Sequence, residues 1–329
     1  MLGQGAKKEK AVTMRALVWR GERQIDLEEI PDPVPAEDEV VLDVDLAGIC
    51  GSDLHPYRGH SGPRVPPLVL GHEVIGRVDG RRFVVYPLEG CATCAHCQTG
   101  DVNLCDHWRL LGLQRQGVFA ERAVVPRESL IAISETLAAE RAVLAEPLAC
   151  CVGALRPHLD GSGSRALVLG CGPIGLLTVF MAARSGLEVI AVDPVAERRE
   201  HAMRLGAART LETADGLGDA AVEIAIDAAG FEATWRAAIA AVRTGGTLVV
   251  MGLGQAEGRF PMAVVVRRSI HVRGQFAYSR SDFSHAVEVL GSSDFELDWI
   301  TESPLDAGDE AFANLVDRPS EYCKILLRP

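Results

Sequence analysis

The chain has 329 residues, 48% of them hydrophobic, and is long enough for two domains with a buried core each. Its 33 basic and 45 acidic residues give a formal net charge of -12, and no basic run is dense enough to neutralise a row of phosphates. We therefore expect neither nucleic acid nor an anionic membrane among its partners.

The N-terminal segment, residues 1–13, lacks the apolar core of a secretion signal and predicts a disordered polar tail before structure begins near Met14. The longest uncharged run, residues 166–183, has about the minimum length of a membrane span, but three glycines and Pro173 favour strand, turn and helix instead. We expect a cytoplasmic protein. Disulfides rarely persist in that compartment, so the nine cysteines indicate metal binding or chemistry.

The first half of the chain predicts an irregular β-rich domain. The segment EVVLDVDLAGIC alternates apolar and polar residues, and FVVYP and ERAVVP are short β-prone runs closed by proline. Between them lie GICGSDLH and GHE, which carry Cys50, His72 and Glu73. These are soft, borderline and hard ligands that suit zinc, although a lone Cys or His more often packs in a core.

Four cysteines follow in the segment GCATCAHCQTGDVNLC. Cys91, Cys94 and Cys97 are spaced by two residues each, and Cys105 follows after seven more. Four thiolates at this spacing can converge on one tetrahedral ion, and because no position stays open, such a zinc would be structural. Disulfides or unrelated thiols are the alternative interpretation.

The segment LAEPLACC, residues 144–151, places one acid, Glu146, close to Cys150 and Cys151. If the segment is helical, Cys150 lies on the same face as Glu146 and Cys151 is rotated away. Only Cys150 then competes with Glu146 as a metal ligand. Small apolar filler is the alternative role for both thiols.

From Arg165 onward, strand candidates alternate with amphipathic helices. RALVLG, EVIAVD, EIAIDAAG and GGTLVVMGL predict a parallel sheet with right-handed crossovers, which is a doubly wound nucleotide-binding domain. Past about Gln275 the alternation ends. The segment CKILLRP at the C-terminus predicts a strand that returns to the first domain.

The motif GCGPIG lies between a predicted strand and helix, and Asp193 ends the next strand eighteen residues after Gly175. Glycines let the backbone turn tightly and approach a pyrophosphate at the helix N-terminus. Asp193 can accept hydrogen bonds from both ribose hydroxyls and would repel a 2′-phosphate, which favours NAD, while Arg198 and Arg199 leave NADP open. The predicted cofactor-binding residues are Gly170, Gly172, Pro173, Ile174, Gly175, Asp193, Arg198, Gly252 and Gly254.

Taken together and in this order, GICGSDLH, GHEVIG, the four cysteines, EPLA and GCGPIG resemble the zinc-dependent medium-chain alcohol dehydrogenase family. The sequences of these motifs are most similar to the polyol branch of sorbitol, threonine and butanediol dehydrogenases. The resemblance implies an α/β fold in which a GroES-like β-rich catalytic domain is interrupted by a doubly wound Rossmann domain. The implied boundaries are a tail at 1–13, a catalytic domain at 14–157 with a zinc lobe at 90–106, an NAD-binding domain at 158–275 and a return to the catalytic domain at 276–329.

The resemblance also implies a catalytic zinc held by Cys50 and His72. Glu73 would ligate this zinc or exchange with water there. Glu146 would replace the cysteine that ethanol-type enzymes supply from the same region. A second, structural zinc would occupy the four cysteines, giving two zinc ions per subunit.

Three residues beside Cys50 receive roles from the same resemblance. Ser52 would take the substrate proton, His55 would pass it towards solvent, and Asp53 would orient His72. The implied reaction is reversible oxidation of a secondary alcohol to a ketone with NAD, the substrate being a polyol, cyclitol, sugar alcohol or amino alcohol. A homodimer or homotetramer is expected.

Two other functions are compatible with the sequence: a non-catalytic NAD-sensing or partner-binding member of the fold, and a zinc-free quinone reductase.

One departure from the family is the segment GRVDGRRFVVYP, which is shorter than usual by about ten residues. Loops tolerate such a change well. It affects the local surface and subunit contacts rather than the zinc motifs.

Overall fold

The structure is a computed structural model that describes residues 12–60, 62–158, 164–217 and 222–329. Most of the predicted N-terminal tail lies outside these residues, and the first strand begins at Thr13, one residue before the expected start. The strands are β1 Thr13–Gly21, β2 Gln24–Pro31, β3 Glu39–Gly48, β4 Leu68–Val69, β5 Glu73–Val78, β6 Arg81–Val85, β7 Leu88–Glu89, β8 Arg109–Leu110, β9 Arg122–Pro126, β10 Leu130–Ala132, β11 Arg165–Leu169, β12 Glu188–Val192, β13 Arg209–Leu211, β14 Val222–Asp227, β15 Val242–Val250, β16 His271–Gly274, β17 Ile300–Pro304 and β18 Lys324–Arg328. The helices are α1 Gly51–Tyr57, α2 Ala95–Thr99, α3 Ala139–Ala142, α4 Ala145–Leu155, α5 Pro173–Arg184, α6 Ala196–Arg204, α7 Glu232–Ala241, α8 Met262–Arg267, α9 Arg280–Ser292 and α10 Gly308–Asp317.

The β-rich part contains a three-stranded sheet in the order β2-β1-β4 and a seven-stranded sheet in the order β10-β6-β5-β3-β18-β17, with β9 also pairing to β3. The predicted alternation of β3 is present, since its apolar residues are buried at every second position from Val40 to Leu46. The C-terminal strand β18 pairs antiparallel with β3, with Leu326 opposite Gly48. On the other side of β3, Gly48 pairs with Glu73 of β5. Three adjacent strands therefore bring residues near 48, 73 and 324 together.

The short connection after the GHE segment is a tight β-hairpin. Val78 pairs with Arg81, so only Asp79 and Gly80 form the loop, and both have positive φ, 50° and 76°. An Asp-Gly pair with this backbone is the preferred two-residue hairpin connection, because its twist matches that of the flanking strands. The shortened segment after GHE therefore forms a regular hairpin connection without any longer loop.

The second half forms a six-stranded parallel sheet in the order β13-β12-β11-β14-β15-β16. This is the strand order of a Rossmann fold, and it confirms the predicted doubly wound domain. Residues 166–183 form β11, a turn and α5, as their glycines predict. None of the helices in the described parts of the chain is both long and apolar enough to span a membrane.

Helix α4 joins the two halves. It packs against α5 and α9 and contacts β5. Nearly all of its residues are buried, and they share one apolar core with side chains of both sheets, such as Ile75 and Val168. The uniformly apolar sequence around Glu146 thus reflects burial on all sides.

Candidate functional site

Cys50, His72 and Glu73 form one compact group, here called the strand-end cluster. Cys50 follows β3 and caps the N-terminus of α1, where its sulfur accepts a hydrogen bond from the Ser52 N–H at 3.5 Å and its own N–H donates to Asp53 Oδ2 at 3.0 Å. This reciprocal cap fixes the direction of the thiol. One ligand atom from each member of the cluster lies within 4.8 Å of the other two. Two fragments separated in sequence are thereby brought together.

The surroundings of His72 favour a cation. Asp53 is fully buried, and its Oδ1 lies 3.7 Å from His72 Nδ1, too far for a hydrogen bond. Neither atom has a hydrogen-bond partner among the described residues. Burial lowers the pKa of His72, but Asp53 and Cys50 outweigh it and raise that pKa to about 10. A thiol, an imidazole and a carboxylate that converge in this way fit a divalent metal ion, which binds the deprotonated ligands and displaces their protons.

A buried lysine that the sequence analysis missed contacts the strand-end cluster. Lys324, at the start of β18, donates hydrogen bonds from Nζ to Glu73 Oε2 and, at 2.9 Å, to the Ile49 carbonyl. Both side chains of the ion pair are 1% exposed. Burial lowers the pKa of Lys324, yet Glu73 and Cys50 together raise it above its ordinary value. No local signal in CKILLRP points to this role, since strand pairing alone brings Lys324 to the site.

Close packing also explains the glycine that precedes the first ligand. A Cβ on Gly48 would lie 2.1 Å from Glu73 Oε2 and 3.2 Å from the Lys324 chain. Any side chain there would displace the ion pair. The first glycine of GICGSDLH therefore keeps room for the carboxylate.

Glu146 lies in the first turn of α4 and is buried, but among the described residues it is not a member of the strand-end cluster. Its Oε1 accepts a hydrogen bond from the hydroxyl of Tyr278 at 2.8 Å. Burial raises the pKa of Glu146 to about 7, against the attraction of His72 and with the repulsion of Glu73. This carboxyl group is thus electrostatically linked to the cluster. Tyr278 was not predicted, because it is remote in sequence and follows no motif.

The two thiols after Glu146 differ in their surroundings. Cys151 is fully buried, and its sulfur donates to the Pro147 carbonyl at 3.3 Å within α4. Cys150 is partly exposed, and burial of its thiol raises the pKa well above the ordinary value. Cys151 packs in the core, and neither thiol joins the group formed by Cys50, His72 and Glu73.

Ser52 and His55 lie three residues apart on α1 and so share one face of that short helix. Ser52 Oγ is buried and has no hydrogen-bond partner within the described residues. Burial lowers the pKa of His55, and Arg58 and Arg64 lower it further. His55 is therefore mostly neutral near pH 7 and able to accept a proton.

The four predicted lobe cysteines form the second compact group of ligand atoms, again within 4.8 Å of one another. Backbone N–H groups point at the sulfurs: Cys94 N lies 3.3 Å from Cys91 Sγ, and Cys97 N lies 3.4 Å from Cys94 Sγ. Such hydrogen bonds stabilise thiolates. A Cβ on Gly90 would lie only 2.4 Å from Cys97 Sγ. The lobe, residues 90–106, therefore fits a closed tetrahedral metal site.

The glycine motif lines a cavity of about 560 Å³ at the carboxyl ends of the parallel strands. Gly170 turns the chain with φ of 90°, and helix α5 begins three residues later at Pro173. A Cβ on Gly175 would lie 1.7 Å from the Gly170 carbonyl oxygen, so helix and turn pack too closely for any side chain. The lining includes Gly170, Gly172, Val192, Asp193, Arg198, Phe231 and Thr234.

Asp193 is buried at the edge of this cavity. Its Oδ2 accepts from the Cys171 N–H at 2.7 Å and its Oδ1 from the Val195 N–H at 2.9 Å. Each carboxylate oxygen keeps a free lone pair for a ligand hydroxyl. Arg199 donates to the Asp193 carbonyl at 2.7 Å, and Arg198 donates to the Pro319 carbonyl. Each arginine thus has a backbone partner, while Arg198 also lines the cavity and its Nε has no hydrogen-bond partner among the described residues.

Gly252 and Gly254, two of the predicted cofactor-binding residues, follow β15. A Cβ on Gly252 would lie 2.3 Å from the Gly230 nitrogen, and one on Gly254 would lie 2.5 Å from the Phe231 ring. Packing between the loops that follow β14 and β15 therefore accounts for both glycines. The structure places them next to the segment that contributes Phe231 to the cavity.

The comparisons with known proteins agree with this architecture. Residues 36–135 match the family described as alcohol dehydrogenase GroES-like domain, and residues 173–292 match zinc-binding dehydrogenase. (R,R)-Butanediol dehydrogenase of Saccharomyces cerevisiae is 30% identical over 378 residues, which cover 96% of this chain and 98% of the relative.

Two solved structures are similar over nearly the whole length. A zinc-binding dehydrogenase of Sinorhizobium meliloti 1021 bound to NADP has a TM-score of 0.86 and 30% identity, covering 97% of this chain and 100% of that one. An alcohol dehydrogenase of Escherichia coli CFT073 in complex with NADH has a TM-score of 0.88 and 27% identity, covering 96% and 99%. The resemblance and the predicted fold class are thereby confirmed. The chain belongs to the zinc-dependent medium-chain alcohol dehydrogenase family, and within it to the polyol dehydrogenases.

Proposed function

We propose that this protein is an NAD-dependent zinc oxidoreductase that interconverts a secondary alcohol of the polyol class and its ketone. The observation that carries the proposal is the convergence of ligand atoms from Cys50, His72 and Glu73 within 4.8 Å. His72 and Glu73 are buried, and the nearby residue Ser52 has a buried hydroxyl that lacks a partner among the described residues. A soft, a borderline and a hard ligand in one charged pocket suit zinc.

The catalytic metal would be held by Cys50, His72 and one or both of the carboxylates Glu73 and Glu146. When bound, zinc polarises the substrate hydroxyl as a Lewis acid and lowers its pKa. Glu73 is shared with Lys324, and this second partner weakens its hold on a metal relative to a free carboxylate. Such a carboxylate suits exchange with water or substrate. Glu146, whose Oε1 accepts from Tyr278, would offer its other oxygen as a further ligand.

Ser52 and His55 carry the proposed proton path. The buried Ser52 hydroxyl needs a partner, and a substrate hydroxyl would supply one. A proton that leaves the substrate passes to Ser52 and on to the neutral His55, which is partly exposed and can release it to water. Asp53, with Oδ1 3.7 Å from His72 Nδ1, would orient His72 through charge attraction while the charge at the site changes.

We propose NAD as the cofactor in preference to NADP. When bound, this cofactor would supply the acceptor for the hydride of the alcohol carbon. Asp193 supports NAD, because its carboxylate at the cavity edge would accept hydrogen bonds from ribose hydroxyls and would repel a 2′-phosphate. Arg198 and Arg199 donate hydrogen bonds to backbone carbonyls.

Asp193→Ala should raise the KM for NAD roughly tenfold, because a hydrogen bond to a charged group contributes about 1.5 kcal/mol. The KM for NADP should fall in the same variant.

A vicinal diol or an amino alcohol fits the proposed site best, because a second oxygen or nitrogen could also reach the metal or Glu146. The yeast relative that acts on a diol supports this class. We further propose a second, structural zinc in the lobe, the domain boundaries at 14–157, 158–275 and 276–329, and a homodimer or homotetramer.

A screen of polyols, cyclitols, amino alcohols and simple secondary alcohols for NADH formation, repeated with NADP, tests the function. Metal analysis of the same preparation should give two zinc ions per subunit. One zinc would mean that only the lobe is filled, and none would exclude a zinc dehydrogenase in favour of a zinc-free reductase. Turnover of no alcohol by a protein with both zinc ions would favour a non-catalytic NAD-binding role.

A further inference from the structure

We propose that Tyr278 is a positioning residue that holds the carboxylate of Glu146 in its working orientation, and that the cysteine lobe fixes Tyr278 in place. This inference rests on the proposed function and goes beyond it. Tyr278 lies in the connection between β16 and α9, far in sequence from every predicted site residue.

The first step is the hydrogen bond itself. Tyr278 is fully buried and donates from its hydroxyl to Glu146 Oε1 at 2.8 Å. A carboxylate on a flexible side chain has several rotamers of similar energy, and a directed donor selects one of them. With Oε1 held by Tyr278, Oε2 is left as the ligating or substrate-binding atom.

The second step is the rigidity of the tyrosine ring. It packs edge-on against Tyr86, with ring centroids 5.7 Å apart, and is tilted against Phe283 at 5.6 Å. The hydroxyl of Tyr86 donates to the backbone carbonyl of Tyr278 at 3.3 Å. Ring and backbone are therefore held separately, so the hydroxyl has little freedom to move.

The cysteine lobe contacts the chain on both sides of Tyr278. Asn103 Nδ2 donates to the Phe276 carbonyl at 2.9 Å, and the Arg280 N–H donates to the Gly100 carbonyl at 3.2 Å. Trp108, just past Cys105, stacks at a tilt on Phe276 with centroids 4.8 Å apart. The lobe thus contacts the chain two residues before and two residues after Tyr278. A metal-stabilised lobe here acts as a support for the residue that orients Glu146.

The test removes only the hydroxyl. In the zinc-loaded enzyme, Tyr278→Phe should lower kcat/KM and speed the release of one of the two zinc ions to a chelator, each by roughly tenfold, as expected for residues that orient metal ligands. The release of the lobe zinc should stay unchanged. Tyr86→Phe is the graded comparison, because it removes the hydroxyl that supports the Tyr278 backbone carbonyl and leaves the bond to Glu146 intact. It should change kcat/KM and zinc release by no more than about twofold, well short of the effect of Tyr278→Phe.

Glu146→Ala completes a double-mutant cycle. If Tyr278 acts through Glu146, adding Tyr278→Phe to Glu146→Ala should produce no further change in kcat/KM or zinc release. A purely structural role would instead give additive losses together with a lower melting temperature.

The outcomes separate this inference from the proposed function. Suppose that the wild-type protein oxidises alcohols with zinc and that Tyr278→Phe keeps the wild-type kcat/KM and rate of zinc release. This result would overturn the positioning role alone and leave the proposed function intact. Should Tyr278→Phe fail to fold, Glu146→Gln keeps the tyrosine packing and weakens the same hydrogen bond, and unchanged zinc release in that variant would overturn the role equally. A protein that turns over no alcohol at all would refute the proposed function first.

Discussion

In the cysteine lobe, all four ligand candidates come from residues 91–105, whereas the strand-end cluster takes Cys50, His72 and Glu73 from the ends of two strands. The lobe sulfurs are surrounded by their own backbone N–H groups, and three of the four cysteines are partly exposed. In the strand-end cluster, His72 and Glu73 are buried, and Asp53 and Lys324 lie against them from other segments. One site is local and closed, and the other is assembled by the whole fold.

This difference follows from what each site has to do. Four thiolates fill a tetrahedral zinc completely, so a short loop suffices and nothing else has to approach. A catalytic site has to leave a position open and still compensate buried charge, which requires groups of both signs from several directions. The buried Glu73–Lys324 ion pair meets that requirement in this chain. The two sites should therefore respond differently to the loss of a ligand or of a supporting contact.

The largest effect is expected from the strand-end ligands. Cys50→Ala or His72→Ala should lower kcat/KM by at least about 10³-fold, because a metal ion contributes several kcal/mol of transition-state charge stabilisation. Zinc content should fall from two ions to one per subunit. Elemental analysis and NADH formation measure both outcomes. If both variants keep wild-type turnover and zinc content, the assigned site is wrong.

The next effect concerns the buried ion pair. Lys324→Met leaves Glu73 buried without its cation and should destabilise the fold by about 3 kcal/mol. Thermal unfolding measures this loss. Arg328→Met is the matched control on the same strand, since the pair of Arg328 with Glu302 is well exposed, and such surface pairs contribute at most about 1 kcal/mol. Equal melting temperatures for the two variants would show that Lys324 does not compensate a buried charge.

The same contrast explains what the sequence could predict. The metal-binding lobe could be predicted because its four cysteines lie within one short segment at a spacing typical of structural zinc sites. The parallel sheet could be predicted because RALVLG, EVIAVD and EIAIDAAG alternate with helices. The right-handed crossovers between such strands then restrict the possible strand orders. The positions of Cys50 and His72 came from two weak fragments that gained meaning only through a family resemblance.

Lys324 and Tyr278 were not predictable by the same means. Lys324 reaches Glu73 because β18 pairs with β3, and that pairing joins residues more than half the chain apart. Tyr278 meets Glu146 through tertiary packing around α4, whose buried apolar sequence does not indicate which polar group will lie beside its one acid. Contacts of this kind depend on register and packing between distant segments, which no local pattern encodes.

A smaller effect on activity is expected from the lobe. Cys94→Ala should remove the lobe zinc, lower the melting temperature and reduce kcat/KM by less than about tenfold, because the lobe supports the catalytic residues without touching the reacting atoms. Cys151→Ala, which changes a buried thiol outside both metal groups, is the control for loss of a cysteine. A loss of activity as large as that of Cys50→Ala would mean that the lobe is part of the catalytic centre.

The smallest effect tests whether the two sites communicate. Trp108→Leu removes the ring that stacks on Phe276 while leaving all eight proposed metal ligands intact. An aromatic pair contributes about 0.5–1 kcal/mol beyond area burial, so kcat/KM should fall by roughly two- to fivefold if the lobe positions Tyr278. Zinc release from the strand-end cluster should speed up by a similar factor, and release from the lobe should not. Trp108→Phe keeps an aromatic face and should restore most of both quantities. If Trp108→Leu instead leaves turnover and zinc release unchanged, the lobe and the strand-end cluster are independent, and the contacts at Phe276 and Arg280 stabilise the fold without reaching the chemistry.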